Sequence, residues 1–162
     1  MKDVVELLRK KGKTISTMES CTGGGVANAI TNIEGASEVL FFSAVTYSNE
    51  YKIKMGVDKN IIDQYSVYSM ETAMEMSKKI SNFTGSDYGI GITGKLNRKD
   101  INNPYGKDNT VFVSIYIKEK NEFKNFSYTV DGLTRKENKE FIIRNIEVEL
   151  KNIIWLINNY KL

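Results

Sequence analysis

Histidine is absent from this chain of 162 residues. Its absence excludes Ser-His-Asp and Cys-His catalysis and removes histidine-ligated zinc. A single cysteine, Cys21, excludes an internal disulfide and a thiolate zinc site, and makes a reducing cytoplasm the expected compartment. No apolar run approaches a membrane span. The opening segment, MKDVVELLRKKGK, is charged and amphipathic, without an apolar stretch of signal-peptide length. The charge of one sign is scarce too: 23 basic residues face 20 acidic ones along the whole length, a net of +3. That balance argues for neither nucleic acid nor a membrane as partner. What is present is the profile of a soluble globular protein, with 41% hydrophobic and 27% charged residues. Its length fits one domain, residues 1–162, with a proper core. Acid–base chemistry at neutral pH therefore falls to lysine, tyrosine, a carboxylate or bound water.

The apolar pattern alternates between helical and extended periods. Val4, Val5, Leu7 and Leu8 mark a first helix that ends near Gly12. A strand follows over 14–18, and a helix is expected from Thr22. FFSAVTYS, 41–48, reads as a second strand, and 50–65 as short helical pieces. A longer helix covers 69–83. DYGIGITG, 87–94, reads as a buried, glycine-rich strand that ends in a turn. Residues 95–109 are polar and without period. VFVSIYI and EFKNFSYTV form an expected hairpin around Lys120-Asn121, and Ile142, Ile146, Leu150, Ile153 and Ile157 make one stripe of a last helix. This order predicts an α/β fold, a three-layer α/β/α domain whose mixed central sheet has its last two strands antiparallel.

Ligands of open α/β sheets bind beyond the carboxyl ends of the strands. Three stretches fall there: Glu19 to Gly25, Tyr47 to Lys52, and Thr93-Gly94. In the first, MESCTGGG, glycines at a strand-to-helix junction let backbone N–H groups face a ligand. The pattern is neither a phosphate loop, a dinucleotide fingerprint nor a nucleophile elbow. Its plainer meaning is a helix cap by Ser20 or Thr22, with glycines for close packing. Cys21 reads as a small buried residue. In the second stretch, VTYSNEYKIK, a lysine near a serine is able to act as its general base if its charge is disfavoured. The plainer meaning is that Lys52 and Lys54 are solvated. Composition does not choose between these.

Taken together, Met18-Glu19-Ser20-Cys21-Thr22-Gly23-Gly24, Ile33-Glu34-Gly35-Ala36-Ser37, Val45-Thr46-Tyr47-Ser48-Asn49-Glu50, Lys52 and Met55-Gly56-Val57 resemble the CinA C-terminal domain family. Those proteins are nicotinamide-nucleotide amidohydrolases, also called nicotinamide mononucleotide deamidases. The resemblance is densest over 17–76 and is to the stand-alone form, without the molybdopterin-binding-like domain of larger members. It implies Ser20 as nucleophile, with Tyr47 and Lys52 assisting. The implied reaction opens the carboxamide of nicotinamide mononucleotide and releases ammonia, with no metal or organic cofactor. Glu19, Thr22, Gly23, Gly24, Thr93, Gly94 and Arg135 are the implied substrate contacts. The Thr22 and Gly23 amides are assigned to either the oxyanion or the phosphate. Family habit and the long last helix also imply a homodimer.

The third stretch departs from the family pattern. Gly91-Ile92-Thr93-Gly94 is followed by Lys95-Leu96-Asn97-Arg98-Lys99 rather than by proline and glycines, and Asp108-Asn109-Thr110 stands where the family has Pro-Val-Gly. Lys95, Arg98, Lys99 and Lys107 are then candidate phosphate contacts, or else charges of a solvated loop. Asn103 or Tyr105 filling the pocket is the expectation that would block the substrate. An active pyridine-nucleotide amidohydrolase is the leading reading. A catalytically impaired nucleotide-binding or regulatory module of the same fold, or a purely structural domain, are the alternatives.

Overall fold

A computed structural model describes residues 1–97, 101–132 and 134–159. Its order of elements is α1 (Lys2–Lys11), β1 (Ile15–Glu19), α2 (Gly25–Thr31), β2 (Leu40–Val45), α3 (Asn49–Lys54), α4 (Lys59–Tyr65), α5 (Met70–Thr84), β3 (Tyr88–Gly94), β4 (Thr110–Ile117), β5 (Glu122–Thr129) and α6 (Arg135–Asn159). The strands form one sheet in the order β2-β1-β3-β4-β5. β1 pairs in parallel with both β2 and β3, while β4 runs antiparallel to β3 and β5. The mixed sheet of the sequence reading is therefore present, and β4 is its one reversed strand.

Period-two alternation sorts the side chains into two cores. Ile15 of β1, Tyr88, Ile90 and Ile92 of β3, and Val111, Val113, Ile115 and Ile117 of β4 pack against α1, α2 and the Ile142, Ile146, Leu150, Ile153 stripe of α6. Met18 packs on the opposite face with Met76 and Ile80 of α5 and Ile62 of α4. Each fully buried aliphatic side chain is worth about 1.5–3 kcal/mol over its exposed state. Two helical layers on one sheet make the α/β/α arrangement.

The glycines of β3 have a steric cause. A Cβ on Gly89 would lie 2.0 Å from the Ser77 carbonyl oxygen, and one on Gly91 would lie 2.1 Å from that of Ala73. α5 thus lies directly on the β3 backbone, and the polar pair Ser77–Ser114, 3.2 Å apart, continues the contact to β4. At the opposite end from the strand carboxyl termini, Asp87 accepts from the Thr14 amide (2.8 Å), the Thr14 hydroxyl (3.1 Å) and the Lys13 ammonium (3.0 Å). Lys13 also reaches Glu119 at the β4–β5 turn. This polar clasp ties the starts of β1 and β3 to the hairpin. The carboxyl ends of β1, β2 and β3 are left together on the other edge.

Candidate active site

Ser20 is the first residue past β1. Its amide donates to Ile92 O at 3.0 Å, which extends the β1–β3 ladder by one step and holds the serine rigidly. The chain then turns through Cys21 to Gly24. Gly23 and Gly24 have φ of +63° and +86°, a left-handed backbone that side chains resist, which explains the glycine pair. α2 consequently starts at Gly25, three residues later than the sequence suggests.

Neither Ser20 nor Thr22 caps that helix. Glu19 does: its fully buried carboxylate accepts from the amides of Val26 (3.1 Å) and Ala27 (2.8 Å) and from the hydroxyls of Thr17 and Thr22. The chain's own carboxylate therefore occupies the anion-favouring end of α2. The structure brings neither Glu19 nor the Thr22 hydroxyl to the cavity described below. The Gly23 amide is also engaged, donating to Ser20 O at 3.0 Å. Thr93 is buried and donates to Val67 O, so its role here is to hold the segment before α5.

Lys52 comes from α3, a short helix whose start is fixed by the Ser48 hydroxyl accepting from the Tyr51 amide. Its side chain is 1% exposed, and Nζ lies 3.0 Å from Ser20 Oγ and donates to Thr46 O at 2.7 Å. Lys54, two residues on, is paired with Glu50 on the surface. The two lysines of the same motif have opposite environments, and only Lys52 is turned into the protein. Ser20 is 7% exposed, so its hydroxyl opens to one side. Cys21 is buried beside it, and burial pushes its thiol up to about 12. At neutral pH it is a thiol and a poor nucleophile.

Ser20 and Cys21 form the floor of a cavity of about 650 Å³. Such a volume falls within the range of about 300–1,000 Å³ usual for small-molecule sites. Tyr47, Ser48 and Asn49 wall one side, Gly94, Lys95 and Leu96 another, with Tyr68, Asn102, Asn103 and Arg135 completing the rim. The Tyr47 hydroxyl accepts from Arg135 Nη2 at 2.8 Å, and Arg135 Nη1 donates to Leu96 O at 2.9 Å. Arg135 of α6 thus joins the loops after β2 and β3 across the mouth. Asn49 Nδ2 donates to Asn103 Oδ1 at 2.9 Å. Asn103 is part of the wall, and Tyr105 is 77% exposed, so neither fills the cavity. Lys95 is buried within the wall. Lys107 is exposed, while Arg98 and Lys99 lie outside the described residues.

Ser48, Asn49 and Asn102 fall within stretches that the sequence places at the site without being singled out there, and Tyr68 is the cavity residue that sequence reasoning missed. Asn49 sits inside the motif that carries Lys52, which is a usable signal. Asn102 belongs to the segment leaving β3, which the strand-end rule places at the site, whereas Tyr68 carries no signal because its placement follows from tertiary contacts. Among the described residues no cluster of three side chains suited to a metal occurs, and no helix is long and apolar enough to cross a membrane.

The chain belongs to the CinA C-terminal domain family, whose model matches residues 1–149. It is 50% identical over 92 residues to a CinA-like protein of Kosmotoga olearia, which covers 56% of this chain and 22% of that protein. It is 36% identical over 148 residues to a putative competence-damage inducible protein of Clostridium botulinum strain Langeland, covering 90% of this chain and 34% of that one. The chain thus spans about a third or less of these relatives' length. Among solved structures, a CinA superfamily protein of Klebsiella pneumoniae matches with a TM-score of 0.86 at 22% identity, over 94% of both chains. A competence or damage-inducible protein of Enterobacter asburiae matches with the same score at 23% identity and the same coverage. At this identity the likeness shows the fold.

Proposed function

We propose that this chain is an amidohydrolase that converts nicotinamide mononucleotide to nicotinate mononucleotide and ammonia. The observation that carries the reading is the 3.0 Å approach of a buried lysine amine to a serine hydroxyl at the floor of an open cavity, in a chain without histidine. Burial disfavours charge on an amine. Lys52 Nζ donates to Thr46 O and to Ser20 Oγ as it stands; the mechanism runs through its neutral form, whose lone pair takes the Ser20 proton.

In this mechanism Ser20 Oγ attacks the carboxamide carbon and its proton passes to Lys52 Nζ. The C–N bond of the tetrahedral intermediate breaks as Lys52 returns that proton to the leaving nitrogen, which departs as ammonia. Water then attacks the Ser20 ester, gives a proton to Lys52, and Ser20 recovers it as the carboxylic acid leaves. With the Gly23 amide donating to Ser20 O and the α2 start taken by Glu19, the Thr22 amide is assigned to the oxyanion. Arg135 is assigned to the substrate phosphate, since a guanidinium has more N–H donors than its two present contacts use. Tyr47 is assigned to orient the substrate and to relay a proton once Arg135 is drawn to the phosphate; Gly94 lines the wall, but a Cβ there would lie 2.5 Å from Thr110 O, so its glycine answers to β4. No metal or organic cofactor enters these steps.

A homodimer belongs to the same reading. β2 is an edge of the sheet and exposes Phe42 beside Phe83 on one face and Phe41 and Val45 on the other, apolar surface of the kind that partners cover. The reading is tested by incubating purified protein with nicotinamide mononucleotide. Ammonia and nicotinate mononucleotide are expected in equal amounts. A bound but unchanged nucleotide would favour the binding module instead.

A further inference from the structure

The segment between β3 and β4 is long for a connection inside a compact domain, and it holds one glycine and one proline. A chain of that kind gains a fixed shape only from contacts that offset its entropy. The contacts converge on one atom. Lys95 Nζ donates to the Pro104 carbonyl, the Gly106 carbonyl and Asp108 Oδ1, each at 3.3 Å. The same ammonium stands 5.2 Å from the centre of the Tyr68 ring. Its side chain is 2% exposed, while Asp108 is 49% exposed.

An ammonium has N–H donors to match these three acceptors, and this geometry uses them all. Lys95 is therefore ill suited to be the phosphate ligand that its charge suggests. Its contacts instead arrange the segment that carries Asn102 and Asn103 to the cavity rim, where Asn103 meets Asn49. Asn49 stands three residues before Lys52, so the loop wall is tied to the helix that bears the catalytic amine.

We infer that Lys95 is a positioning residue: its buried ammonium fixes the 101–109 loop as the outer wall of the cavity and so sets how tightly the nucleoside part of the substrate is held, without touching the amide chemistry. The substrate class rests on the deamidase reading above; the role in the wall rests on geometry alone. The Asn49–Asn103 bridge, beside Ser48 and Tyr68, offers the neutral hydrogen-bonding lining that suits sugar hydroxyls.

The test uses the whole chain and three variants: Lys95→Met, which removes the ammonium; Asp108→Asn, which alters one exposed partner and spares the core; and Asn103→Ala, which removes the bridge. Amide hydrogen exchange over 101–109 and titration with nicotinamide mononucleotide in a Ser20→Ala background are read beside kcat and KM. Lys95→Met is expected to speed exchange in that loop alone and to raise KM and the dissociation constant about tenfold, short of the ~100-fold that a full ångström of misplacement can cost. Its kcat stays close to that of the parent. Asp108→Asn shifts the same readouts less, and Asn103→Ala weakens binding without speeding exchange. Binding that weakens in a protein without turnover overturns the deamidase reading and keeps this one. Unchanged exchange, or faster exchange with unchanged affinity, overturns the role of Lys95. A parent protein that binds no nucleotide overturns the substrate reading, and loop exchange in Lys95→Met then decides the role of Lys95 by itself; a kcat that falls as far as KM rises overturns that role.

Discussion

Ser20 and Cys21 are neighbours with similar side chains, and their surroundings give them opposite chemistry. The serine hydroxyl has an amine at 3.0 Å; the thiol next to it is buried, with its ionisation pushed up to about 12. A nucleophile needs an available base, and the thiol here is held in its unreactive form. Cys21→Ala is therefore expected to keep more than about half of the deamidation rate, since a buried thiol acts as a small hydrophobe. Iodoacetamide is expected to label the folded protein far more slowly than the urea-unfolded one. A dead Cys21→Ala protein with an unchanged fold would contradict the assignment of Ser20 as nucleophile. Glu19 makes the complementary point. Its place in the motif suggests a substrate contact, and only the fold reveals that α2 takes its carboxylate.

Among the elements, β3 and α5 show what local pattern reveals and what it hides. The alternation of Ile90 and Ile92 with Gly89 and Gly91 identifies a buried strand from sequence alone. That the glycines answer to the Ala73 and Ser77 carbonyls is a tertiary fact that no periodicity contains. Gly91→Ala should force α5 off the sheet, costing about 3 kcal/mol, at the upper end of usual overpacking penalties. Urea denaturation measures this as a lower midpoint with an unchanged slope. A midpoint within error of the parent would mean that α5 yields without cost. The start of α2 was legible only to within three residues, because the turn from Cys21 to Gly24 has no helical period of its own. The 95–109 segment was legible as a departure from the family that leaves the carboxyl end of β3 and borders the pocket of Ser20, but not in how it is held. A lysine that gathers two carbonyls and a carboxylate from nine to thirteen positions ahead leaves no mark in a local pattern.

The molecule as a whole is polar at both ends of its sheet, with different work at each. The strand carboxyl ends gather the cavity, while the amino ends carry the Thr14–Asp87–Lys13 clasp. Burial alone would raise the Asp87 carboxyl, but the Thr14 amide and hydroxyl and the Lys13 ammonium outweigh it and hold it below the usual range. A lowered carboxyl stabilises the fold above its unfolded value of about 4 and loses that contribution as pH falls through the folded value. Asp87→Asn should therefore be less stable than the parent at pH 7, with the difference shrinking below about pH 4. Chemical denaturation at both pH values measures it, and a difference independent of pH would contradict the clasp. Deamidation should be unaffected, because the clasp and the cavity are at opposite ends of the strands. The layered α/β architecture followed from the order of helical and extended periods. The gathering of Ser20, Lys52 and Arg135 came from the three-dimensional placement of β1, α3 and α6, for which only the family motif offered a hint.

The central claim is that the Ser20–Lys52 pair carries out amide hydrolysis on a nicotinamide nucleotide. Its most direct test is ammonia release from nicotinamide mononucleotide by the parent, Ser20→Ala and Lys52→Met proteins side by side, with folding of each checked by circular dichroism. The account predicts turnover by the parent and a loss of at least about a thousandfold in both variants, because nucleophile and base act as a unit. Ammonia release by a folded Ser20→Ala protein at the parent rate would contradict it.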